Sequence, residues 1–312
     1  EGNLNNDIGV PQMLLRLRQH HRYAVIEMGM NHVGEISYLT QLAKPSIALI
    51  TNAGAAHIEG LGSIEAVARA KAEIFEGLDQ QGTAIINADD CYAPLWRKCA
   101  GSRPIIDFGL REKARVSADY STDPLMSTIQ LKLPDGMETI QLQTPGVHNV
   151  YNALAAAAAT TALGIPKESI ASGLECFRGV KGRMQKKLGL HHALLIDDTY
   201  NANPESVRAA LAVLASTKGK KILILGDMGE LGQSTVDLHR MIGKEARKAG
   251  LDKLLTLGEL SAYATAEFGK DAQHFNTLDE LLNATESLLA DDVTLLVKGS
   301  RFMQMERVVK QL

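Results

Sequence analysis

The chain has 312 residues, of which 45% are hydrophobic and 22% charged, with a formal net charge of -3. That length is large for one hydrophobic core, so two domains are expected. The near-neutral balance gives no reason to expect nucleic acid as a partner. No basic block marks a membrane surface and no apolar run is long enough to span a bilayer, so no membrane insertion is expected. Cys91, Cys99 and Cys176 are an odd set without metal-ligand spacing, which predicts reduced, buried thiols in a cytoplasmic protein.

In chain order, residues 1–9 (EGNLNNDIG) read as a loop, and Pro11 begins a short amphipathic helix with Met13, Leu14 and Leu17. Residues 23–26 predict a short strand that carries Glu27 at its carboxyl end, followed by a helix from about Gly34. Residues 46–51 (SIALIT) predict a second strand, ending in the small-residue turn from Asn52 to His57. Ser63 then caps a helix reaching about Gly77, in which Lys71 stands between Ala68, Ala70 and Ala72. A third strand, 83–86, ends in Asn87 and the acids Asp89 and Asp90. Ligands of open α/β sheets sit outside such strand ends, which makes Glu27 and His57 a candidate metal pair. Taken singly, a strand-end glutamate is more often solvated and a lone histidine more often structural.

From about 103 to 143 the pattern changes to short alternating runs, read as antiparallel strands with Pro134-Asp135-Gly136 as a hairpin turn. Helices over 148–163 and 166–176 follow, the first opened by Gly146-Val-His148-Asn149, where free backbone N–H groups suit an anion or a base edge. A basic hinge comes next, with Arg178, Lys181, Arg183, Lys186 and Lys187. Beyond it, strands near 193–197, 221–225, 253–257 and 293–297 alternate with helices near 204–216, 234–249, 278–290 and 301–310, and a short strand is expected at 273–275. Such alternation predicts a mostly parallel, doubly wound sheet. The expected class is therefore α/β: an incomplete central sheet domain with an antiparallel extension over 1–184, and a Rossmann-like C-terminal domain over 185–312.

Five segments carry a family likeness: EMGMNHVGEI (27–36), GVHNVYNALAAA (146–157), DDTYNANPES (197–206), GDMGELG (226–232) and VKGSR (297–301). Together, and in this order, they resemble the Mur ligases, most of all the members that add D-alanyl-D-alanine to UDP-N-acetylmuramoyl-tripeptide. The resemblance implies an ATP-dependent amide ligase of peptidoglycan precursor synthesis, working through an acyl phosphate, with ATP and Mg2+ as cofactors and a cytoplasmic monomer as its form.

By the same resemblance Glu27 and His57 hold magnesium, and Lys71, in the run Ala70-Lys71-Ala-Glu-Ile74-Phe75, carries CO2 as a carbamate that helps bind a second ion. Lys71, Arg183 and His57 are the implied catalytic residues. Asn149 is matched to the adenine, Arg183 to the phosphates and Asp198 to the ribose. Asn31, His32, Tyr200, Asn201, Asn203, Asp227, Glu230, Lys298, Ser300 and Arg301 are implied substrate contacts, with Asp227 and Glu230 set against an incoming ammonium group. Without the likeness, Lys71 reads as a plain helix lysine, Arg183 as a solvated linker residue and Asn149 as a helix cap.

Two features pull against the simplest reading. The strand 221–225 followed by Gly226, Gly229 and Gly232 approaches a dinucleotide fingerprint, but the spacing is G-x-x-G-x-x-G, and Asp227 and Glu230 would set carboxylates against a pyrophosphate. No G-x-x-x-x-G-K-[ST] loop occurs in the 312 residues. The expectation is thus the central and C-terminal portions of a ligase, without the UDP-binding domain and phosphate loop of the family and inactive as this chain alone. A related ligase of folylpolyglutamate or cyanophycin type, or a non-catalytic binding module, are the alternatives.

Overall fold

The apolar strand runs of the sequence pair into three sheets in a computed structural model, which describes residues 4–54, 61–123 and 126–312. The chain divides into two units, one made of Glu1–Asp119, Ile129–Ile140 and Tyr151–Leu174, the other of Tyr120–Thr128, Gln141–Val150 and Glu175–Leu312.

In the first unit β1 (Ile47–Ile50), β2 (Thr83–Asn87) and β3 (Ile105–Phe108) form a parallel sheet in that order. Helices α1 (Gly9–Leu15), α2 (Glu35–Ala43), α3 (Ile64–Ala72) and α4 (Ala93–Ala100) belong to the same unit. Ser63 caps α3 by accepting the Ala66 N–H at 3.1 Å, as its side chain predicts. The alanines of α3 leave room for a large neighbour, and the indole of Trp96 on α4 fills it, fully buried and donating to the Ala68 carbonyl at 3.0 Å.

Three expectations are corrected. Residues 21–30 form no strand, and Val25 is 97% exposed: an apolar run becomes a strand only where a neighbour takes up its backbone groups, and among the described residues none does so over 23–26, the Gly29 N–H alone reaching the Asn5 carbonyl at 2.7 Å beyond them. Residues 105–108 run parallel to β2 instead of opening the antiparallel set, because α4 carries the chain back across the sheet. The cysteines are exposed rather than buried, with Cys91 in a turn, Cys99 on α4 and Cys176 at a helix end.

Strands β4 (Ser117–Thr122), β5 (Ser127–Leu133) and β6 (Gly136–Leu142) form the expected extension, in sequential order. β5 and β6 are joined by Pro134-Asp135 alone, a connection that only antiparallel neighbours can use. Helices α5 (Val147–Ala162) and α6 (Lys167–Cys176) follow within a residue or so of their predicted positions.

The second unit holds a six-stranded sheet in the order β11-β10-β9-β12-β8-β7, from β7 (Gln185–Leu188), β8 (Leu194–Asp198), β9 (Lys220–Gly226), β10 (Lys253–Leu257), β11 (Ala272–Phe275) and β12 (Val293–Lys298). All pairs are parallel except β7 with β8. Helices α7 (Pro204–Ser216), α8 (Thr235–Lys248) and α9 (Ala262–Phe268) contribute to a core around Leu214, Leu223, Leu225 and Ile242. On the other face α10 (Leu278–Glu286) and α11 (Glu306–Val309) pack with Ile222, Ile224, Leu295 and Val297. Burial on both faces is why β12 is apolar over most of its length. The sequence reading placed a hinge where β7 lies. Its run Gln-Lys-Lys-Leu is that of an edge strand, where lysines block further pairing.

Candidate active site

The second unit gathers most of the candidate residues through its topology. α7 and α8 leave β8 and β9 toward one face of the sheet, whereas α11 leaves β12, which lies between them, toward the other. Connections that part in this way open a crevice beyond the carboxyl ends of the strands. The loops at that edge are residues 198–203, 227–234 and 299–305, which contain Asp198, Tyr200, Asn201, Asn203, Asp227, Glu230, Ser300 and Arg301.

Asp198 and Lys298 stand side by side on paired strands, and both are buried. Lys298 Nζ donates to Asp198 Oδ2 at 2.5 Å and to the Asn201 carbonyl at 2.9 Å, while Asp198 Oδ1 accepts the Met184 N–H at 3.1 Å. Lys298 is therefore engaged inside the fold and shapes the Tyr200–Asn203 turn. Its neighbour Asp197 is paired likewise, with Lys187 Nζ and the Thr199 hydroxyl each at 2.7 Å.

Ser300 ties the three loops together. Its hydroxyl donates to the Ala202 carbonyl at 2.9 Å and accepts the Gly229 N–H at 2.8 Å, and its own N–H reaches the Asp227 carbonyl at 2.9 Å. Asp227 Oδ1 accepts the N–H groups of Ser261 and Leu260, at 2.7 and 3.1 Å. Gly258 is needed for this approach: it has φ of +119°, and a Cβ there would come 2.4 Å from Asp227 Oδ1. Asn203 caps α7 in a capping box with Ser206, with Pro204 as the first helical residue. Exposed Arg183 stacks its guanidinium on the Tyr200 ring, 4.4 Å from the centroid, and Arg301 is paired with Glu306 at 3.0 Å. Asn149 is the third residue of α5 and donates to the Pro145 carbonyl at 2.7 Å.

Two histidines of this unit were not singled out in the sequence. His148 lies in the field of Asp198 and Lys298. Burial holds its imidazole below the usual range, with Asp198 pulling it up and Lys298 pushing it further down. It follows Gly146, whose φ is +94° and whose Cβ, if present, would strike the His148 ring at 2.7 Å. His239 is buried on α8 against the loop after β9. The available signal for it was a polar residue on the apolar stripe that Ile242 and Ala246 continue.

The first unit presents its candidates differently. Glu27 is exposed and its Oε1 accepts from the Asn5 side chain at 3.0 Å. Asn31 and His32 belong to a turn folded around Glu35, which accepts the Asn31 N–H at 2.7 Å and meets His32 Nδ1 at 2.9 Å. The Asn31 backbone bond, followed by the His32 contact, holds the Glu35 carboxyl below its usual range. Glu73 from beyond α3 closes the same turn by accepting the N–H groups of Gly34 and Ser37 at the start of α2. Lys71 Nζ donates to the Asn52 carbonyl at 2.7 Å. His57 lies outside the described residues. Among the described residues no three His, Cys, Asp or Glu side chains gather as a metal site. Exposed Glu27 is a hard oxygen donor, which fits an ion such as Mg2+ that keeps several waters and takes one or two carboxylates together with phosphate oxygens.

With this geometry in place, the chain can be set beside known proteins. The Mur ligase middle domain pattern matches residues 1–160, and the pattern described as Mur ligase, glutamate ligase domain matches residues 182–301. The UDP-N-acetylmuramoyl-tripeptide--D-alanyl-D-alanine ligase of Escherichia coli (strain K12) is 41% identical, over 100% of this chain and 70% of its own length. The ligase of the same description from Bacillus subtilis (strain 168) is 35% identical, over 100% and 68%. A crystal structure of MurF from Acinetobacter baumannii superposes with a TM-score of 0.92 at 39% identity, covering 99% of this chain and 69% of that one. Patterns for two successive domains in the expected order, with identity that extends from end to end, place this chain in the Mur ligase family.

Proposed function

We propose that this chain serves the ATP-dependent addition of D-alanyl-D-alanine to UDP-N-acetylmuramoyl-tripeptide. The tripeptide carboxylate attacks the γ-phosphorus of ATP, ADP leaves, and an acyl phosphate forms. The amine of the dipeptide then attacks the acyl carbon, inorganic phosphate departs and the nitrogen loses its extra proton, which leaves an amide. The observation that carries this reading is the convergence of the 198–203 turn, the 227–234 loop and the 299–305 segment at one sheet edge, in a chain that aligns end to end with ligases of that description.

Roles follow from chemistry. In the second unit Asp227 and Glu230 suit an ammonium group, and Asn201, Asn203, Tyr200, Ser300 and Arg301 suit a peptide with its carboxylate end. Lys298 and Asp198 hold the turn that presents them, and Asp198 is the acid assigned to the ribose. Arg183, exposed and flattened on Tyr200, suits phosphate, and Asn149 suits the adenine edge. In the first unit Glu27, with His57 and Lys71, would hold Mg2+, and Asn31 and His32 lie on the neighbouring turn. When bound, Mg2+ neutralises the phosphate oxygens so that a carboxylate can approach them. CO2 adding to the neutral Lys71 amine releases a proton and leaves a carbamate, whose single N–H still serves the Asn52 carbonyl. The reading includes a monomer in the cytoplasm without membrane insertion; among the described residues no helix is long and apolar enough to cross a membrane.

The test is phosphate release and dipeptide ligation with Mg-ATP in the full-length enzyme. Glu27→Ala is expected to cost at least ~100-fold, the scale of a lost electrostatic contact to developing charge. Lys71→Ala is expected to lose activity that short carboxylic acids partly restore. Rates within a few-fold of the parent for both variants would overturn the metal assignment, and preference for glutamate over D-alanyl-D-alanine would favour a ligase of folylpolyglutamate type.

A further inference from the structure

We infer that His239 is a positioning residue for the incoming amine: its neutral imidazole, oriented by α8, ties the start of the loop after β9 to that helix and so holds the loop in the shape that receives the ammonium group. The inference rests on the proposed function for its substrate, and on the geometry of the second unit for its mechanism.

The Met228 N–H, at the start of the loop, donates to His239 Nε2 at 3.0 Å. His239 Nδ1 lies 2.7 Å from the carbonyl of Thr235, the first residue of α8 and one turn back on the same helix, a contact that orients the ring. An N–H needs a lone pair opposite it and a carbonyl needs a proton, so only the neutral tautomer protonated at Nδ1 satisfies both contacts. An imidazolium would turn an N–H of the ring against the N–H of Met228. One buried side chain on α8 thus spans a segment that holds Gly229, Glu230 and Gly232.

That segment needs holding. Glu230 has φ of +61°, a left-handed conformation that a non-glycine residue keeps only where its surroundings impose it. Met228 and Leu231 are buried in the unit's core, and Gly229 is fixed to Ser300, so the shape of the loop is set from three directions. Burial keeps the His239 imidazole below its usual range, with the Thr235 carbonyl and then Asp227 pulling it up. Asp227, at the end of β9, is the charged group acting on it. The pairs Arg208–Glu245 and Lys244–Glu267, and Arg240 on Tyr263, lie among α7, α8 and α9 on partly exposed side chains.

Backbone hydrogen exchange at Met228 and Gly229, read together with an NMR titration of D-alanyl-D-alanine, tests the latch in the parent, His239→Gln and His239→Leu proteins. In the parent, protection of Met228 falls as pH drops below the ordinary imidazole value of about 6.5. Glutamine offers an acceptor that does not titrate, so protection is retained and the pH dependence disappears. Leucine fills the space without an acceptor, and protection falls roughly tenfold, the value of one buried hydrogen bond, with dipeptide affinity falling alongside it. Unchanged protection in the leucine variant, or a glutamine variant that keeps the parent's pH dependence, overturns the latch. A loosened loop with unaltered dipeptide affinity overturns its link to the amine, whereas a parent protein whose Met228 and Gly229 signals do not respond to the dipeptide overturns the assignment of this loop in the proposed function.

Discussion

The two groups of candidate residues are held by forces of different scale. In the second unit Asp197, Asp198 and Asp227 are all buried, and each meets donors supplied by its own sheet edge or by the loop opposite. In the first, Glu27 is exposed, Glu35 is 40% exposed at its side chain, and the turn between them rests on surface hydrogen bonds. A buried carboxylate cannot leave its partner without a large penalty, so folding alone fixes the second group. Contacts at the surface compete with water and are worth tenths of a kcal/mol, so the first group takes its order from weaker terms.

The largest expected effect lies with the buried pair. Lys298→Met removes the cation while Asp198 stays buried, and such a break costs about 3–5 kcal/mol. Adding Asp198→Asn removes the orphaned charge and recovers a large part of that loss. Denaturant unfolding of the three proteins measures it. A single-variant loss below about 1 kcal/mol would place this pair among surface pairs and dissolve the comparison.

A second test asks whether the first unit can pin an acid at all. Asp89 is its best case: the side chain is 1% exposed and accepts the N–H groups of Leu110 and Glu112 at 2.7 Å and the Tyr151 hydroxyl at 2.6 Å. Burial pushes its carboxyl up, but the bonds from Tyr151, Glu112, Leu110 and Arg111 together outweigh that and set it below its ordinary value of 3.8. A lowered folded-state value means stabilisation that is complete above about pH 4 and is lost as pH falls toward the depressed value. The partner moves the opposite way: burial, then the bond to Asp89, pushes the Tyr151 hydroxyl up to about 12. Asp89→Asn is expected to cost about 1–3 kcal/mol at neutral pH, because an amide cannot accept all these donors, and to flatten the acid limb of the stability profile. An unchanged limb would contradict the assignment.

Legibility in the sequence followed the same division. Strands 220–226, 253–257 and 293–298 were readable because burial on both faces demands unbroken apolar runs, and Asn203-Pro204 marked the start of α7 to the residue. β7 was not readable, since the lysines that suit an edge strand also suit a linker. Residues 23–26 looked like a strand because composition says nothing about whether a neighbour exists to pair with it. The short helices α4 and α9 were missed because seven or eight residues give only about two turns of periodicity. At the site, the family motifs supplied the loop residues, but the tie between Ser300, Gly229 and Ala202 joins positions 71 and 98 residues apart. No local pattern encodes it. His239 was passed over for a related reason, as its bond to the Met228 N–H is to a loop backbone group whose position depends on the fold.

The smallest effect sharpens the contrast from the exposed side. Glu73 accepts the Gly34 N–H at 2.8 Å and the Ser37 N–H at 3.1 Å, where α2 begins and where its backbone N–H groups have no helical partners. A carboxylate there gains both from the hydrogen bonds and from the helix dipole, and the dipole share is about 0.3–1 kcal/mol at low salt. Glu73→Gln keeps an acceptor and loses the charge, whereas Glu73→Ala loses both. The glutamine variant is therefore expected to lose a few tenths of a kcal/mol, less at high salt. The alanine variant is expected to lose about 1 kcal/mol more, since no side chain then caps these groups. Chemical denaturation at low and high ionic strength separates the two parts. A glutamine loss above about 2 kcal/mol, insensitive to salt, would mean that this turn is as firmly fixed as the buried edge of the second unit, and that the two regions do not differ in kind.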